Sequence, residues 1–357
     1  MNNLTKIAII TITNSGLNFG NRLQNYALQE VLSHMDVQVE TIVSSKLCYN
    51  SILLSRIRRQ VKKIVKTSGR RRRFQAFQNK YIHEAKRIRY GNRHLERLEQ
   101  NYDAFVVGSD QVWNPNFHFN SDFELLSFVH PHKRFSYAAS FGVDFLPESE
   151  KERFRECLSG FQLLSVREES GVEIIEQLIG QKPYLHIDPT MLVNKEQYIQ
   201  MEVRPHYDVP KNYLLVYFLG NISNEYREQI EAIAKQMQLS VVHLSEWKKS
   251  KLYHIGPSEF VYLFHHASYV CTDSFHGGVF SILFEKQFLL FIRQDKEIPM
   301  NARIETLVHT FGICSRVVRE SNLDGAIKPI DYTVVQNRLA KERRRAIEYL
   351  ETMIRMW

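Results

Sequence analysis

The stretch KIAIITITNSGLNFGNRLQNYALQEVLSHM, residues 6 to 35, decides the fold class of this chain. It opens with a short apolar run rich in β-branched residues and then passes through a turn of glycine and asparagine. Apolar residues recur at helical spacing at Leu23, Tyr26, Ala27 and Val31, and a second β-branched run, VQVETIV, follows. This strand–turn–helix–strand order is typical of doubly wound α/β proteins.

The same alternation continues along the chain and is interrupted once. Residues 194–212 are polar and include two prolines, which is typical of a connection between domains. We therefore predict an α/β fold in which two Rossmann-like domains face a cleft. The predicted boundaries are 1–195 for the N-terminal domain, 205–330 for the C-terminal domain and 331–357 for an amphipathic C-terminal helix.

The composition is that of an ordinary globular protein. Of the 357 residues, 44% are hydrophobic and 24% are charged, and no apolar run approaches the roughly 20 residues that span a bilayer. The first residues lack a signal-peptide cleavage pattern, so we expect a cytoplasmic protein. The four cysteines form no CxxC or Cys/His cluster, so we expect reduced thiols and no metal site. His265 and His266 have no acidic or cysteine partner at ligand spacing and are expected to be structural.

One segment accounts for the net charge of +8. RIRRQVKKIVKTSGRRRR, Arg56–Arg73, holds ten basic residues and no acid, so the rest of the chain carries −2 (8 minus 10). The sequence predicts a basic amphipathic helical insert at about residues 50–90. Its apolar residues recur at helical spacing within the basic run: Ile57, Val61, Ile64 and Val65.

A basic amphipathic helix suits an anionic membrane surface or another anionic ligand. The alternative is a solvated helix whose apolar stripe packs on its own domain. Aromatic residues do not interleave with the cations of this segment, which argues against binding of single-stranded nucleic acid. We therefore expect no nucleic-acid partner.

Several predicted strands end at small or polar residues: Ser109 and Asp110, Ser140, Arg167, and Asp188. Ligands of open α/β sheets lie beyond the carboxyl ends of the strands, so these positions are the first candidates for a site. Arg167 can grip a phosphate or carboxylate with two donors, or it can pair with the neighbouring Glu168 or Glu169. Asp110 is either a site residue or a helix N-cap.

The stretch VCTDSFHGG, residues 270 to 278, inserts polar side chains between two apolar segments. We predict a strand end, a turn that holds Asp273, Ser274 and His276, and a helix that begins near Gly277. Backbone N–H groups at a helix start attract anions, and a glycine lets an anion approach the backbone closely. A histidine beside an anion has its protonated form favoured, which suits a general acid. The alternative is a histidine that only braces the turn.

Four further residues are candidates for substrate binding. Asn14, Asn18 and Asn21 lie in the first turn, where the glycine spacing does not match the dinucleotide-binding pattern. We predict that they line the cleft or receive an acceptor sugar. Arg303 is a weaker candidate, with a surface arginine as the alternative.

Seven motifs together resemble one known family. They are NFGNRLQNYALQ, YDAFVVGSDQVWNP, SYAASFG, LSVREESG, DPTML, PSEFVYLFHHASYVCTDSFHGGVFSILFEKQF and MNARIETLV. They occur in the family's order and cover roughly Lys6 to Leu307, and on this basis the chain is similar to the polysaccharide pyruvyl transferases. The basic insert and the last helix lie outside these motifs. Gln287 departs from the family pattern, in which a proline is common at this position.

The resemblance implies a two-domain fold of the glycosyltransferase-B type. It also implies transfer of the pyruvyl group of phosphoenolpyruvate to two hydroxyls of a sugar, which forms a cyclic ketal and releases phosphate. Phosphoenolpyruvate is then a donor substrate and no cofactor is needed. The positions that match the family's donor-binding residues are Arg167, His276 and Asp110. We expect Arg167 to clamp the donor, His276 to be an acid or a phosphate ligand, and Asp110 or Asp273 to accept the proton of the attacking hydroxyl.

The acceptors of such enzymes are bacterial surface glycans, which are often assembled on a lipid carrier. The basic insert would then dock a cytoplasmic protein at the inner face of the cell membrane, where lipid-linked sugars lie. Two other functions fit the same fold: a sugar-nucleotide-dependent glycosyltransferase, and a non-catalytic protein that binds glycans or lipids. A requirement for a nucleotide sugar, without phosphate release from phosphoenolpyruvate, would favour the first of these.

Overall fold

Two parallel β-sheets, one in each half of the chain, form the framework of the structure. The structure is a computed structural model that describes residues 4–13, 16–45, 68–85, 88–89, 92–117, 121–244, 250–293, 302–318 and 328–356.

The strands of the first half are β1 (Lys6–Ile10), β2 (Gln38–Thr41), β3 (Ser44–Ser45), β4 (Ile88–Arg89), β5 (Ala104–Val107), β6 (Arg134–Ser136), β7 (Ser165–Val166) and β8 (Tyr184–Leu185). Those of the second half are β9 (Tyr213–Tyr217), β10 (Ser240–His243), β11 (Tyr269–Thr272), β12 (Gln287–Phe291) and β13 (Val317–Val318).

The helices are α1 (Phe19–Ser33), α2 (Ser68–Tyr81), α3 (Asn92–Gln100), α4 (Glu148–Leu158), α5 (Glu169–Ile179), α6 (Lys195–Met201), α7 (Asn224–Gln236), α8 (Pro257–His266), α9 (Phe275–Leu283), α10 (Ala302–Phe311) and α11 (Tyr332–Ile354).

The first sheet has the strand order β2-β1-β5-β6, and all of its pairings are parallel. Isolated parallel bridges from Phe135 to Leu163 and from Ala139 to Val166 link β6 with β7, which pairs with β8. The apolar residues of β1 and β5 are completely buried, as expected when helices cover both faces of a parallel sheet. The carboxyl ends of β5, β7 and β8 therefore point to one edge, where the polar strand ends meet.

The second sheet has the strand order β10-β9-β11-β12-β13 and is also entirely parallel. The YLLVY segment of β9 is buried at every position. Helix α9 begins directly after β11, so the sequence TDSFH turns from strand to helix within a few residues. The predicted α/β class, with one parallel sheet in each half, is confirmed, whereas the boundaries of the two domains stay predictions.

Helix α11 returns from the second half to the first. Arg343 Nε donates to the carbonyl of Met191 at 2.6 Å, and Tyr349 Oη donates to the carbonyl of Ser136 at 2.7 Å. The apolar stripe of the helix is buried at Val335, Leu339, Ala346, Leu350 and Met353. The predicted amphipathic C-terminal helix is therefore confirmed, and its apolar face ties the two halves together.

The two halves also pack directly on each other. We call the surface where the two halves meet the seam. There α1 and α2 contact α8 and α9, and α5 contacts α10. At the seam the ring of Phe19 stacks on the ring of Phe260, with centroids 4.8 Å apart. One hydrophobic cluster includes residues of both sheets, among them Ile9 and Leu215.

Two arginines of the basic run stabilise the seam. Arg70 is buried, with its guanidinium 4.6 Å from the ring centroids of both Phe19 and Tyr253. Arg73 Nε pairs with Glu259 Oε1 at 2.7 Å. These two side chains contact the second half of the protein, and membrane binding by the Arg56–Arg73 segment stays a prediction. Residues 56–67 lie outside the described residues, and Arg71 and Arg72 are exposed.

No helix in the described ranges is both long enough and apolar enough to cross a bilayer.

Candidate active site at the seam

Arg167 directly follows β7, and its side chain is almost completely buried. One Nη group donates to Asp188 Oδ2 and lies 3.5 Å from Ser109 Oγ, while the other lies 3.5 Å from Asp110 Oδ1. The guanidinium lies over the ring of Phe275, 4.4 Å from its centroid. Burial would lower the pKa of Arg167, but the two aspartates outweigh it and raise the pKa. The predicted ion pair therefore exists, with aspartates from other strand ends as partners and not the adjacent glutamates.

Asp188 follows β8 and connects several of these groups. Its Oδ1 accepts hydrogen bonds from the backbone N–H of Thr190 at 3.0 Å and from the Thr190 hydroxyl at 2.7 Å. Its Oδ2 accepts from Ser109 Oγ at 3.2 Å and from Arg167. Burial would raise the pKa of Asp188, but His276 and Arg167 hold it well below its ordinary value. Asp188 is therefore a permanent anion at neutral pH.

His276 comes from the second half, on the first turn of α9. Its Nε2 lies 3.6 Å from Asp188 Oδ2, which is within ion-pair distance but slightly beyond a hydrogen bond. The imidazole packs against the start of α1, where a Cβ on Gly20 would lie 2.1 Å from His276 Nδ1. The glycine of the NFGN motif therefore makes room for this histidine. His276 is positioned between the halves by packing and charge.

Asp110 also contributes a carboxylate to the cluster. Its backbone has a φ of +69°. Its Oδ1 accepts the N–H of Gln111 at 2.9 Å, and its Oδ2 accepts from Asn21 Nδ2 at 3.4 Å. Burial would raise the pKa of Asp110, but Arg167 and the other basic side chains nearby lower it. The residue thus lies beside Arg167 in a tight turn, and the N-cap alternative is not what the structure shows.

Arg303 is buried, so it is not the surface arginine considered as an alternative. Its Cζ lies 6.0 Å from the ring centroid of Phe275, the same ring that Arg167 contacts. When the amide oxygen of Gln111 faces it, both Nη atoms donate to that oxygen at 3.1 and 3.2 Å. Burial, and then the charge of Arg167, lowers the pKa of Arg303 to about 10.

The side chain of Asp273 forms hydrogen bonds and an ion pair within the second half. Its Oδ1 accepts the N–H of Leu219 at 2.7 Å, and its Oδ2 accepts the N–H of Gly220 at 2.8 Å. Arg293 Nε also pairs with Oδ2 at 3.0 Å. Both oxygens are therefore occupied by the loop after β9 and by the end of β12, and the structure does not join Asp273 to the Arg167 cluster through any contact among the described residues.

Ser274 and Gly277 shape the start of α9. Ser274 is the N-cap, and its Oγ accepts the N–H of Gly277 at 3.4 Å. A Cβ on Gly277 would lie 2.2 Å from Thr272 Oγ1, so the glycine allows the helix to pack on the strand end. Their positions are explained by capping and packing, and a role in substrate binding stays a prediction.

The asparagines of the first turn have different surroundings. Asn18 is the N-cap of α1, and its Oδ1 accepts the N–H of Asn21 at 3.1 Å. The side chain of Asn21 links Asp110 to Arg22, whose Nη1 donates to Asn21 Oδ1 at 2.6 Å. Asn14 lies outside the described residues.

Three buried nitrogens of the cluster have no hydrogen-bond partner in the described part of the chain: Arg167 Nε, His276 Nε2 and Arg303 Nε. Arg303 also forms no ion pair with a carboxylate in these ranges. Buried polar groups in native proteins are almost always paired. The donors therefore fit an anionic ligand at the seam.

A cavity of about 160 Å³ adjoins this cluster. Arg167, Asp188 and Phe275 form part of its wall, and α11 adds Glu342 and Arg345. A wall that combines an aromatic ring with a few charged groups is typical of small-ligand sites.

A family model described as polysaccharide pyruvyl transferase matches residues 18–295, which is more than three-quarters of the chain. The chain belongs to the polysaccharide pyruvyl transferase family. The match spans Asp110, Arg167, Asp188 and His276, and it ends before Arg303. No curated protein matches the chain at a significant level.

Solved structures similar to this polysaccharide pyruvyl transferase family member include three UDP-GlcNAc 2-epimerases. The enzyme from Methanocaldococcus jannaschii in complex with UDP-GlcNAc and UDP is 12% identical, with a TM-score of 0.52 over 97% of this chain and 99% of that chain. A putative enzyme from Listeria monocytogenes is 11% identical, with a TM-score of 0.53 over 96% and 91%. The enzyme from Neisseria meningitidis bound to UDP-GlcNAc is 12% identical, with a TM-score of 0.51 over 96% and 94%. These likenesses show the fold alone, and they confirm the glycosyltransferase-B type.

Sequence reasoning missed the central position of Asp188. It had identified this residue as a strand end and as part of the DPTML motif, but it had not selected it as a site residue. Its position at the carboxyl end of a strand could have indicated a site residue, since Asp188 follows β8 just as Arg167 follows β7. The role of Gly20 depends on contact with the other half, which no local pattern indicates.

Proposed function

We propose that this protein transfers the pyruvyl group of phosphoenolpyruvate onto two hydroxyls of a sugar in a bacterial surface glycan or its lipid-linked precursor. The reaction forms a cyclic ketal and releases phosphate. The observation that supports it best is the pair of buried guanidiniums, Arg167 from one half and Arg303 from the other, next to the same Phe275 ring. Two cations beside one aromatic ring suit a donor that carries both a phosphate and a carboxylate.

Arg303 is the better candidate for the principal anion ligand. The Nη groups of Arg167 already face Asp188 and Asp110, whereas Arg303 faces a neutral amide and has its pKa lowered to about 10 by burial and by Arg167. A bound phosphate or carboxylate would supply the negative charge that Arg303 lacks. Arg167 would then orient the two aspartates as well as the donor.

His276 is the proposed proton donor or phosphate ligand. In the first step a proton adds to the methylene carbon of phosphoenolpyruvate, and a sugar hydroxyl attacks the neighbouring carbon. In the second step the other hydroxyl displaces phosphate from that carbon and its proton leaves with the phosphate. Over the two steps two C–O bonds to the sugar form, and the bond from that carbon to the phosphate oxygen breaks. His276 Nε2 lies 3.6 Å from Asp188 Oδ2 and has no hydrogen-bond partner in the described part of the chain, so it is available to a bound donor.

Asp110 is the proposed acceptor for the proton of the attacking hydroxyl. Its pKa is lowered, so it is ionised at neutral pH. Asp110 also lies beside Arg167. Asp273, the other carboxylate predicted for this role, contacts Leu219, Gly220 and Arg293 instead and does not contact the Arg167 cluster in the described part of the chain. We therefore assign the base to Asp110.

We also propose that the basic segment docks this cytoplasmic protein on an anionic membrane surface that carries lipid-linked acceptors. The ten cations of Arg56–Arg73 support this. Arg70 and Arg73 are excluded from the contact because Arg70 donates to the carbonyl of Tyr253 and Arg73 pairs with Glu259, both in the second half of the protein. Among the described residues of the run, Arg71 and Arg72 are exposed and are the candidates.

The test is to incubate the protein with phosphoenolpyruvate and a panel of lipid-linked sugars, following acceptor mass and free phosphate. We expect one acceptor to gain the mass of one pyruvate less one water, with one phosphate released. A parallel series uses nucleotide sugars without phosphoenolpyruvate. Transfer only in that series would reject the proposal and support the glycosyltransferase alternative, and binding without any transfer would support the non-catalytic one.

A further inference from the structure

Three side chains outside the active-site cluster converge on the surface of the second half. Glu202 directly follows α6, and His265 and His266 are the last two residues of α8. His265 Nδ1 lies 2.8 Å from Glu202 Oε2, and His266 Nε2 lies 3.2 Å from Glu202 Oε1. One nitrogen from each ring and a carboxylate oxygen all lie within 4.8 Å of one another.

Aromatic neighbours fix both imidazole rings. His265 stacks on Phe284 with ring centroids 5.0 Å apart, and His266 stacks on Tyr262 with centroids 4.1 Å apart. The rings are therefore held in orientation before any ligand arrives. Preorganised ligands lose less conformational entropy on binding than mobile ones.

We propose that Glu202, His265 and His266 form a binding site for a divalent transition-metal ion, with Zn²⁺ the best fit to the donor set. Two imidazoles and one carboxylate are common zinc ligands. In a tetrahedral site with bonds of about 2.0–2.1 Å, ligand atoms lie about 3.3 Å apart, so small side-chain rotations convert the observed cluster into a coordination shell. Glu202 is 18% exposed and the two histidines 30% and 42%, so water can occupy a fourth position.

When both imidazole rings are neutral, binding of the metal ion releases no proton to the solvent overall. In the metal-free hydrogen-bonded arrangement, each ring directs an N–H toward Glu202. In the metal complex, that nitrogen presents its lone pair to the ion, and the proton lies on the other ring nitrogen. The carboxylate then binds the ion in place of the two N–H groups.

A purely structural interpretation competes with this proposal. In it, the two hydrogen bonds only hold α6 against α8, as does the bond from the N–H of Val203 to the carbonyl of Ser258 at 3.2 Å. The sequence favours that interpretation, because no acidic or cysteine partner of the two histidines lies at ligand spacing; Glu202 is 63 positions from His265. The two interpretations differ in their prediction for Zn²⁺, which binds these three side chains only if the proposal is correct.

An ion at this site would also stabilise the connection between the halves. Helix α6 lies between the two sheets along the chain, and Glu202 continues directly from it. A ligand that binds only the folded state raises the free energy of unfolding by mass action. We therefore expect Zn²⁺ to raise the unfolding temperature.

The test is calorimetric titration of the untagged full chain with ZnCl₂, together with thermal unfolding. We expect one saturable site and a higher unfolding temperature with Zn²⁺. In Glu202→Gln and His265→Ala, affinity should fall more than about tenfold, since changes of tenfold or more follow even from residues one step outside a coordination shell. Co²⁺ should give the absorption bands of a low-symmetry site with nitrogen and oxygen ligands.

Two controls keep the result specific. His309→Ala removes an exposed histidine of α10 and should bind Zn²⁺ like the wild type. His130 and His132, whose rings lie 4.4 Å apart, are a second nitrogen pair, so the double variant His130→Ala, His132→Ala should also keep the site. Absence of saturable binding, or equal affinity in the folded Glu202→Gln and His265→Ala variants, would overturn the proposal.

Discussion

His276 Nε2 and Asp188 Oδ2 lie 3.6 Å apart, and the two residues come from opposite halves of the chain. The proposed proton donor and its neighbouring carboxylate are therefore brought together only when the halves pack at the seam. The same carboxylate oxygen accepts a hydrogen bond from Arg167. The site consequently depends on how the two sheets are docked as much as on the residues themselves.

Arg167→Met should unfold far more easily than the wild type. The substitution leaves Asp188 and Asp110 buried without their cation, and breaking a buried ion pair in this way costs about 3–5 kcal/mol. Denaturant unfolding measures the change. The double variant Arg167→Met, Asp188→Asn should recover part of the loss, and a single variant as stable as the wild type would contradict this arrangement.

Protonation of the buried His186 should lower the free energy of unfolding in mild acid. Burial, assisted by the charge of Arg345, lowers the pKa of His186 to about 4, so the folded state favours the neutral ring, which contacts Ser165 Oγ at 2.9 Å. The unfolded chain binds this proton at its ordinary pKa of about 6.5. Stability should therefore fall by up to about 3 kcal/mol as the pH drops from 6.5 to 4.

The check on His186 is unfolding as a function of pH in the wild type and in His186→Asn. Asparagine has no titrating group and can keep an acceptor near Nδ1, so its loss of stability between pH 6.5 and 4 should be clearly smaller. Identical pH profiles would show that another group carries the effect.

Asp273→Asn should reduce stability and leave the chemistry largely intact. Asparagine keeps one acceptor oxygen but gives up the charge that Arg293 pairs with and one of the two backbone bonds. We expect a loss of about 1–3 kcal/mol in the free energy of unfolding. The turnover rate of the folded variant should stay within a few-fold of the wild type, whereas His276→Ala should lose transfer. Loss of turnover in a fully folded Asp273→Asn would return this residue to the catalytic group.

Substitutions of the arginines in the basic run should affect either membrane binding or stability, depending on the residue. Arg71→Gln with Arg72→Gln should weaken binding to vesicles that contain anionic lipid, by about 1 kcal/mol for each cation near the surface. Added salt should weaken binding further. Arg70→Gln and Arg73→Gln should instead lower the unfolding temperature, because these residues hold Tyr253 and Glu259 at the seam. Equal binding of the Arg71, Arg72 double variant to anionic vesicles would contradict the docking proposal.

The fold class could be predicted from the sequence because the local periodicity of apolar residues indicates each strand and helix. Apolar runs such as KIAII and YLLVY are buried at nearly every position, as strands covered on both faces must be. The amphipathic stripe of α11 likewise predicts a helix and its buried face. Each signal lies within a few residues of the element that it predicts.

The site was accessible only in part. The strand-end rule identified Asp110 and Arg167 correctly as neighbours of a common edge, but it ranked Asp188 no higher than other strand ends. It also suggested Asp273 as a proton acceptor, although the backbone N–H groups of Leu219 and Gly220 donate to that carboxylate. Which side chains meet across a seam depends on the docking of two sheets, and no sequence periodicity encodes it.

In the proposed function, Arg303 is a buried cation that requires the donor's negative charge. Its pKa of about 10 against an ordinary 12.5 means that its charged form costs the fold about 3 kcal/mol below pH 10, a cost that disappears as the pH rises from 10 to 12.5. Arg303→Met should therefore be at least as stable as the wild type.

Calorimetric titration of phosphoenolpyruvate into the wild type and into Arg303→Met measures whether Arg303 binds the donor. Loss of a charge-assisted hydrogen bond of about 1.5–3 kcal/mol predicts affinity that is about 10- to 100-fold weaker in a variant that is folded and undiminished in thermal stability. Equal affinity of the two proteins for phosphoenolpyruvate would contradict the assignment of the seam as the donor site.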